Sequence, residues 1–387
     1  MEEWKEYMLE EICEKITDGS HSSPKAQETG FPMFSVKDML EYGFDYSNCK
    51  YISCEDFAVL KQNDCVPQKG DVLVAKDGSY LKQIFVCEET KDEGVLSSIA
   101  IFRPNKLVDP YYLCYLLKSP KIYNYIANNC VSGSALPRIV LKDFKSVKLW
   151  IPDIAVQKRI VDSLKPFDDL IKVNKRINDN LEQQAQALFK SWFVDYEPFK
   201  DGEFVESELG MIPKGWRVGA LGEIFEIKYG KDHKKLSDGI IPVYGSGGLM
   251  RYVEKPLYEG ESVLIPRKGT LNNVMYVNEA FWTVDTMFYT MPKMQNSMLY
   301  AYILLSNKDL ASMNSGSAVP SMTTEILNNI QIVMPVSDVL AEFNPLVSAY
   351  YAQIKHYDQE SRRLAQLRDT LLPRLMSGEL NINTVNL

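Results

Sequence analysis

Two short turns carry the side chains best suited to contact chemistry. Lys76-Asp77-Gly78-Ser79 follows the run Gly70-Asp71-Val72-Leu73-Val74-Ala75, and Arg267-Lys268-Gly269-Thr270 follows Gly260-Glu261-Ser262-Val263-Leu264-Ile265. Each run reads as a turn and then a strand, and Gln83 to Val86 reads as the strand returning from the first tip. A lysine or arginine at such a tip can pair with a phosphate or with the acceptor edge of guanine. Ser79 and Thr270 add hydroxyls, and Gly78 and Gly269 let another backbone approach closely. Lys231, within Lys231-Asp232-His233-Lys234-Lys235, adds a basic loop to the second half. The candidate contact residues are therefore Lys76, Ser79, Lys231, Arg267, Lys268 and Thr270. Taken singly, each tip reads first as a solvated turn. Matching placement in two halves of the chain is what raises the contact reading.

Little else points to chemistry of the chain's own. There is no Gly-x-x-x-x-Gly-Lys-Ser/Thr loop, which excludes an ATPase of that class. The histidines, His21, His233 and His356, are scattered. All 7 cysteines lie between Cys13 and Cys130, an odd number confined to one part of the chain. That argues for a cytosolic setting over a disulfide scaffold. Cys49 and Cys54, with only His21 near them, do not make a zinc set. Asp77 is a single carboxylate at a tip, too little for a metal-dependent nuclease edge. The expectation is no catalytic, metal or cofactor site. A net charge of -8 counts against a protein that coats nucleic acid nonspecifically. It leaves room for a local basic face, because the footprint depends on distribution. The opening MEEWKEYMLEEI does not read as a signal peptide, and no apolar run reaches membrane-spanning length. A cytoplasmic protein with no membrane contact is expected.

The elements that must position these tips form a repeated frame. From Ala155 to Phe193, Ile160, Phe167, Asn174, Leu181 and Leu188 recur every seven residues. Leu164, Ile171, Asn178, Ala185 and Trp192 form a second series four positions behind. Two such series make one seam along a long helix, interrupted by the two asparagines. From Val339 to Leu375 the pattern returns as Phe343, Tyr350, Tyr357, Leu364 and Leu371, with Val347, Ile354, Ser361 and Leu375 behind and Arg368 breaking the series. Each position lies 183 residues after its counterpart. At 1.5 Å per residue each helix would span roughly 60 Å. Two such seams can bury each other. Pro166 and Pro345, in the early turns, predict a later start or a kink.

The same offset relates Ser132–Pro137 to Ser315–Pro320 and Pro152 to Pro335, which marks an internal duplication. The segments before these turns differ. Tyr229 to Gly248 is glycine-rich and has no equivalent at Gly43 to Cys65. In the first half, Phe31 to Val36 and Ser98 to Phe102 read as strands and Tyr111 to Ile126 as one helix. Residues 194–215 are acidic and turn-rich and read as a linker. The fold class is α+β: two similar mixed α/β domains, 1–152 and 216–335, separated by two long helices, 153–193 and 336–380, packed as an antiparallel coiled coil with pseudo-twofold symmetry. The expected seam contacts are Ile160, Leu164, Phe167, Ile171, Leu181 and Leu188 with Phe343, Val347, Ile354, Leu364 and Leu371.

A duplicated unit joined by long helices works as a caliper, and double-stranded DNA is the natural polymer with spaced features. In this arrangement the chain resembles the specificity subunit of Type I restriction–modification systems. The resemblance is carried by the paired strand–glycine turns, the paired SGSA-x-P turns and the paired strand–proline–helix units. Leu209-Gly210-Met211-Ile212-Pro213-Lys214-Gly215-Trp216 looks like the family's entry into its second recognition domain, and Leu372-Pro373-Arg374-Leu375-Met376-Ser377-Gly378-Glu379-Leu380 like its ending. The resemblance covers essentially the whole chain. It implies that the two domains are target recognition domains reading the halves of a bipartite asymmetric site. It implies as partners double-stranded DNA, two modification (methyltransferase) subunits and, in some assemblies, restriction subunits. Cofactors would lie outside this chain: S-adenosylmethionine in the modification subunits, with ATP and Mg where a restriction subunit joins. The chain itself lacks the Asn/Asp-Pro-Pro-Tyr/Phe signature of an adenine methyltransferase. The alternative from the residues alone is a duplicated coiled-coil scaffold that displays two heads to other proteins and reads no DNA.

Overall fold

A computed structural model describes residues 4–78, 81–132, 138–313 and 321–380. The chain forms two compact units, Met1–Lys175 with Asp358–Leu387, and Arg176–Tyr357. Two helices of 40 residues, Ile154–Phe193 and Ser337–Met376, each contribute one half to each unit.

In the first unit, strand Lys5–Met8 pairs antiparallel with Lys148–Ile151, which leads through Pro152 into the long helix. A four-stranded antiparallel sheet runs in the order Cys13–Asp18, Ile99–Pro104, Val72–Ala75, Ile84–Val86. Val72–Ala75 is buried along its whole length, so its sequence is a continuous apolar run with no polar alternation. Val72 and Val74 face a core with Phe102, Leu113 and Leu164, while Leu73 and Ala75 face one with Phe34, Phe85 and Ile101. The strand therefore joins two cores through its two faces.

The helix expected from Tyr111 to Ile126 is two helices, Pro110–Lys118 and Pro120–Asn129. Asp109 caps the first by accepting from the backbone N–H groups of Tyr111 and Tyr112. Pro120 cannot continue it and forces Ser119 into extended backbone, φ -62 and ψ 139.

In the second unit, Arg217–Ala220 pairs antiparallel with Gln331–Met334, the counterpart of the Lys5–Met8 pairing. A six-stranded sheet follows the order Phe225–Tyr229, Met287–Pro292, Tyr258–Pro266, Met275–Thr283, Ile241–Gly245, Gly248–Val253. Residues 194–215 are more than a linker. They form a hairpin of Phe204–Ser207 and Gly210–Pro213, and Tyr196 and Phe199 pack edge-on against Trp216 at 5.6 and 5.1 Å between ring centres. Four-residue strands are too short to show periodicity above an acidic background.

The helices are antiparallel within each unit. In the first, Asn174 donates to Glu360 at 2.8 Å, and Leu164 shares a core with Leu372 and Leu375. In the second, Asn178 donates to the Ile354 carbonyl at 3.5 Å, and Phe193 packs on Phe343 at 4.7 Å. Both helices start without delay, at Ile154 and Ser337, and run through Pro166 and Pro345.

Of the expected seam, Ile160, Leu164, Leu181, Phe343 and Val347 are buried. Phe167, Ile171, Leu188, Ile354, Leu364 and Leu371 are half-buried. Late in the first helix the buried set moves to Ala185, Phe189 and Phe193, and Leu188 and Trp192 lie at its margin. A 3.6-residue turn drifts against a strict heptad, and the buried stripe follows the helix.

Arg368 does not leave the seam open. It donates to Asp168 at 2.5 Å with both side chains largely buried. Asp168 also accepts from the hydroxyls of Tyr42 at 2.8 Å and Tyr115 at 2.6 Å.

Candidate nucleic-acid interface

The two tips share one backbone frame. In the second unit the Arg267 N–H donates to the Thr286 carbonyl at 2.8 Å, and its own carbonyl accepts from Met322 N–H at 2.9 Å. In the first unit Lys76 N–H donates to the Ser98 carbonyl at 3.0 Å, and its carbonyl accepts from Ile139 N–H at 2.9 Å. The next residues also correspond: Asp77 bridges Arg138, and Lys268 bridges Ser321. Gly78 and Gly269 follow with φ of 63° and 86°, a backbone that side-chain-bearing residues resist. A Cβ on Gly269 would also stand 2.8 Å from Ser246 Oγ.

On this frame the side chains differ. In the second unit the Arg267 guanidinium lies 5.4 Å over the ring of Tyr229, and its Nη1 donates to the Asp285 carbonyl at 3.2 Å. The ring and the carbonyl together aim the fork. Lys268 and Thr270 are exposed beside it. Lys231 is exposed too, and its backbone is fixed by donating to the Thr283 carbonyl at 2.9 Å and accepting from Trp282 Nε1 at 2.8 Å. Residues 283–286 thus anchor the Lys231 loop and the Arg267 tip together. The structure brings four predicted positions, Lys231, Arg267, Lys268 and Thr270, to one edge. Tyr229, not predicted as a contact, joins them with half its surface exposed.

In the first unit the predicted cation is turned inward. Lys76 is 7% exposed, and its ammonium lies 2.8 Å from Asp18. Asp18 also lies 3.4 Å from His21 Nε2. Lys76 therefore neutralises a carboxylate inside the fold and offers no charge at the tip. Asp18 precedes it by 58 residues, so no local pattern reveals the pairing. Ser79 lies outside the described residues, as do 133–137 and 314–320, which hold most of both SGSA-x-P turns. Besides Lys82, further round the same loop, the exposed cation beside this tip among the described residues is Arg138, which the sequence reading passed over. Its signal was positional: it directly follows Pro137, as Ser321 follows Pro320.

In the first unit Tyr42 and Tyr115 are tied to both long helices through Asp168 and Arg368. Burial alone would raise the pKa of the Asp168 carboxyl, but the Tyr115 hydroxyl and the Arg368 guanidinium outweigh burial and hold it below the ordinary carboxylate range. Among the described residues, no group of three or more His, Cys, Asp or Glu is placed to hold a metal, and no helix is long and apolar enough to cross a membrane.

Comparison with known proteins follows the same duplication. A family model for the Type I restriction modification DNA specificity domain matches residues 1–183 and 213–339. The Type I restriction enzyme MjaIX specificity subunit of Methanocaldococcus jannaschii is 26% identical, across 98% of this chain and 94% of its own. The Type I restriction enzyme HindI specificity subunit of Haemophilus influenzae is 25% identical, across 98% of this chain and all of its own. The crystal structure of a Type I restriction-modification S subunit from M. genitalium shares the fold, with a TM-score of 0.59 at 17% identity over 97% of this chain and 96% of that one.

Proposed function

We propose a function from one premise: the chain belongs to the Type I restriction modification DNA specificity family. It is a DNA-specificity subunit and not itself an enzyme. The first unit reads one half of a bipartite asymmetric DNA site, and the second reads the other. The observation that carries this reading is the repeated tip. One set of backbone hydrogen bonds is built twice and fitted with different side chains, Lys76-Asp77 against Arg267-Lys268. Equal frames with unequal chemistry suit a target whose two halves differ. The scaffold alternative asks for no such matched tips.

The long helices are the proposed seat of two modification subunits. Leu170, Val173, Leu346 and Leu367 are apolar and exposed on them, away from the seam. Such exposed apolar side chains on both helices are the surface offered to a protein partner in this reading. Those subunits would hold S-adenosylmethionine and methylate adenine. A restriction subunit, with ATP and Mg, would add cleavage.

Reconstitution tests the assignment. The purified chain alone should transfer no methyl group from S-adenosylmethionine to DNA, and adding its modification subunits should give transfer confined to specific sites. Methylation by the chain alone, or transfer by the modification subunits that is equally site-specific without it, would contradict the proposal.

A further inference from the structure

We infer that Arg138 is the base-reading cation of the first unit and that it takes a guanine in that unit's half-site. The inference rests on the two-part DNA reading above and names one of its specificity residues.

Arg138 stands directly across a backbone bridge from Asp77, as Ser321 stands across from Lys268. Residues directly opposed in an antiparallel pair have Cβ atoms within about 5.5 Å. A cation on either strand therefore reaches the same patch. The second unit places it on the tip, as Lys268. The first places it on the returning strand, as Arg138. The neighbouring bonds, Ile139 N–H to Lys76 and Met322 N–H to Arg267, are both 2.9 Å, so the two frames agree at this point. Lys76 cannot serve instead, because Asp18 holds its charge inside. Arg138 is exposed, and its side chain makes no ion pair among the described residues.

Asp77 decides what kind of contact Arg138 makes. Its Oδ1 is buried and has no hydrogen-bond partner among the described residues. A phosphate brought to this patch would approach the negative charge of Asp77, and like charges at short range repel. A base edge carries no such penalty. Guanine offers O6 and N7 to an arginine fork. The pair of residues thus favours a G·C base pair over backbone contact. Lysine at position 138 would keep the charge and lose the two-pronged geometry.

The test uses the complete complex with its modification subunits, acting on a DNA library randomised at every position. Methylated adenines are mapped for the wild type, Arg138→Ala and Arg138→Lys, at several salt concentrations. Both variants should lose a guanine preference at one position of the first half-site, with discrimination there falling by about tenfold or more. The second half-site should be unchanged, and the salt dependence should stay near the wild type. Retained preferences at the other positions of the first half-site show that the first unit still folds. Asp77→Asn should strengthen binding to unrelated DNA, because phosphate is no longer repelled. Unchanged preferences across the first half-site would overturn the inference. So would a uniform weakening on all sequences with a flatter salt dependence, which marks a phosphate contact. A wild-type complex that yields no two-part motif would overturn the underlying reading, a result separate from either of these.

Discussion

Lys76 and Arg267 occupy one backbone position and do different work. Lys76 balances Asp18 inside the first unit, while Arg267 is aimed outward by Tyr229 and Asp285. Lys76→Met should therefore lower stability and leave salt dependence alone, since it strands a largely buried carboxylate. Breaking a buried pair from one side costs about 3 kcal/mol. Chemical denaturation of the variant should show that loss, and an unchanged midpoint would contradict the inward placement. In the second unit, Lys268 makes no ion pair among the described residues and acts as a point charge. Lys268→Ala should weaken DNA binding evenly across sequences and reduce the salt slope by about one. Arg267 is oriented, so Arg267→Ala should relax one base position by about 1–3 kcal/mol. Quantitative binding to single-base variants of the site separates the two outcomes. The sequence showed the tips because glycine, cation and strand sit within a few residues. It could not show which cation turns inward, because that depends on a partner as distant as Asp18. Tyr229 was missed for the same reason: it meets Arg267 only once Phe225–Tyr229 and Tyr258–Pro266 share a sheet.

The long helices were the most legible elements, because a seven-residue series repeated at a fixed offset survives any change in the heads. Short features were less so. Ser119-Pro120 splits an apolar helix that composition alone would run together, and the hairpin within 194–215 is too brief to leave a period. The break that the sequence marked at Arg368 is where the helices and the first head are pinned, through Asp168, Tyr42 and Tyr115. The Asp168 carboxyl titrates below its ordinary range in the fold. Its contribution is therefore fully present above the unfolded carboxyl's pKa, about 4. It is lost as the pH falls through the lower folded value. Asp168→Asn should cost about 3 kcal/mol near neutrality and flatten the acid limb of a melting-temperature profile. An acid limb as steep as the wild type's would contradict this anchoring role. Along the seam, Leu181 is buried and Leu364 half-buried. Leu181→Asp should then be the more damaging of the two, reducing soluble yield and complex assembly, because it buries a charge without a partner. Equal, wild-type assembly of both variants by mass would refute the seam.

At the scale of the whole molecule, the claim is that two recognition units on shared helices read two half-sites at a set spacing. A seven-residue insertion between Asn180 and Leu181 keeps the seam in phase and adds about 10 Å of helix. Duplex DNA rises about 3.4 Å per base pair along a strand, so the preferred gap should change by up to roughly three base pairs while both half-site sequences persist. A four-residue insertion should be tolerated worse, since it turns every later seam residue to another face. An active heptad variant with the original gap would remove helix length as the ruler. The most direct measurement is a map of methylated adenines in DNA from cells that express the chain with its modification subunits. The account predicts one motif of two specified segments separated by a gap of fixed length and unspecified sequence. A single contiguous motif, or methylation with no motif that depends on this chain, would contradict it.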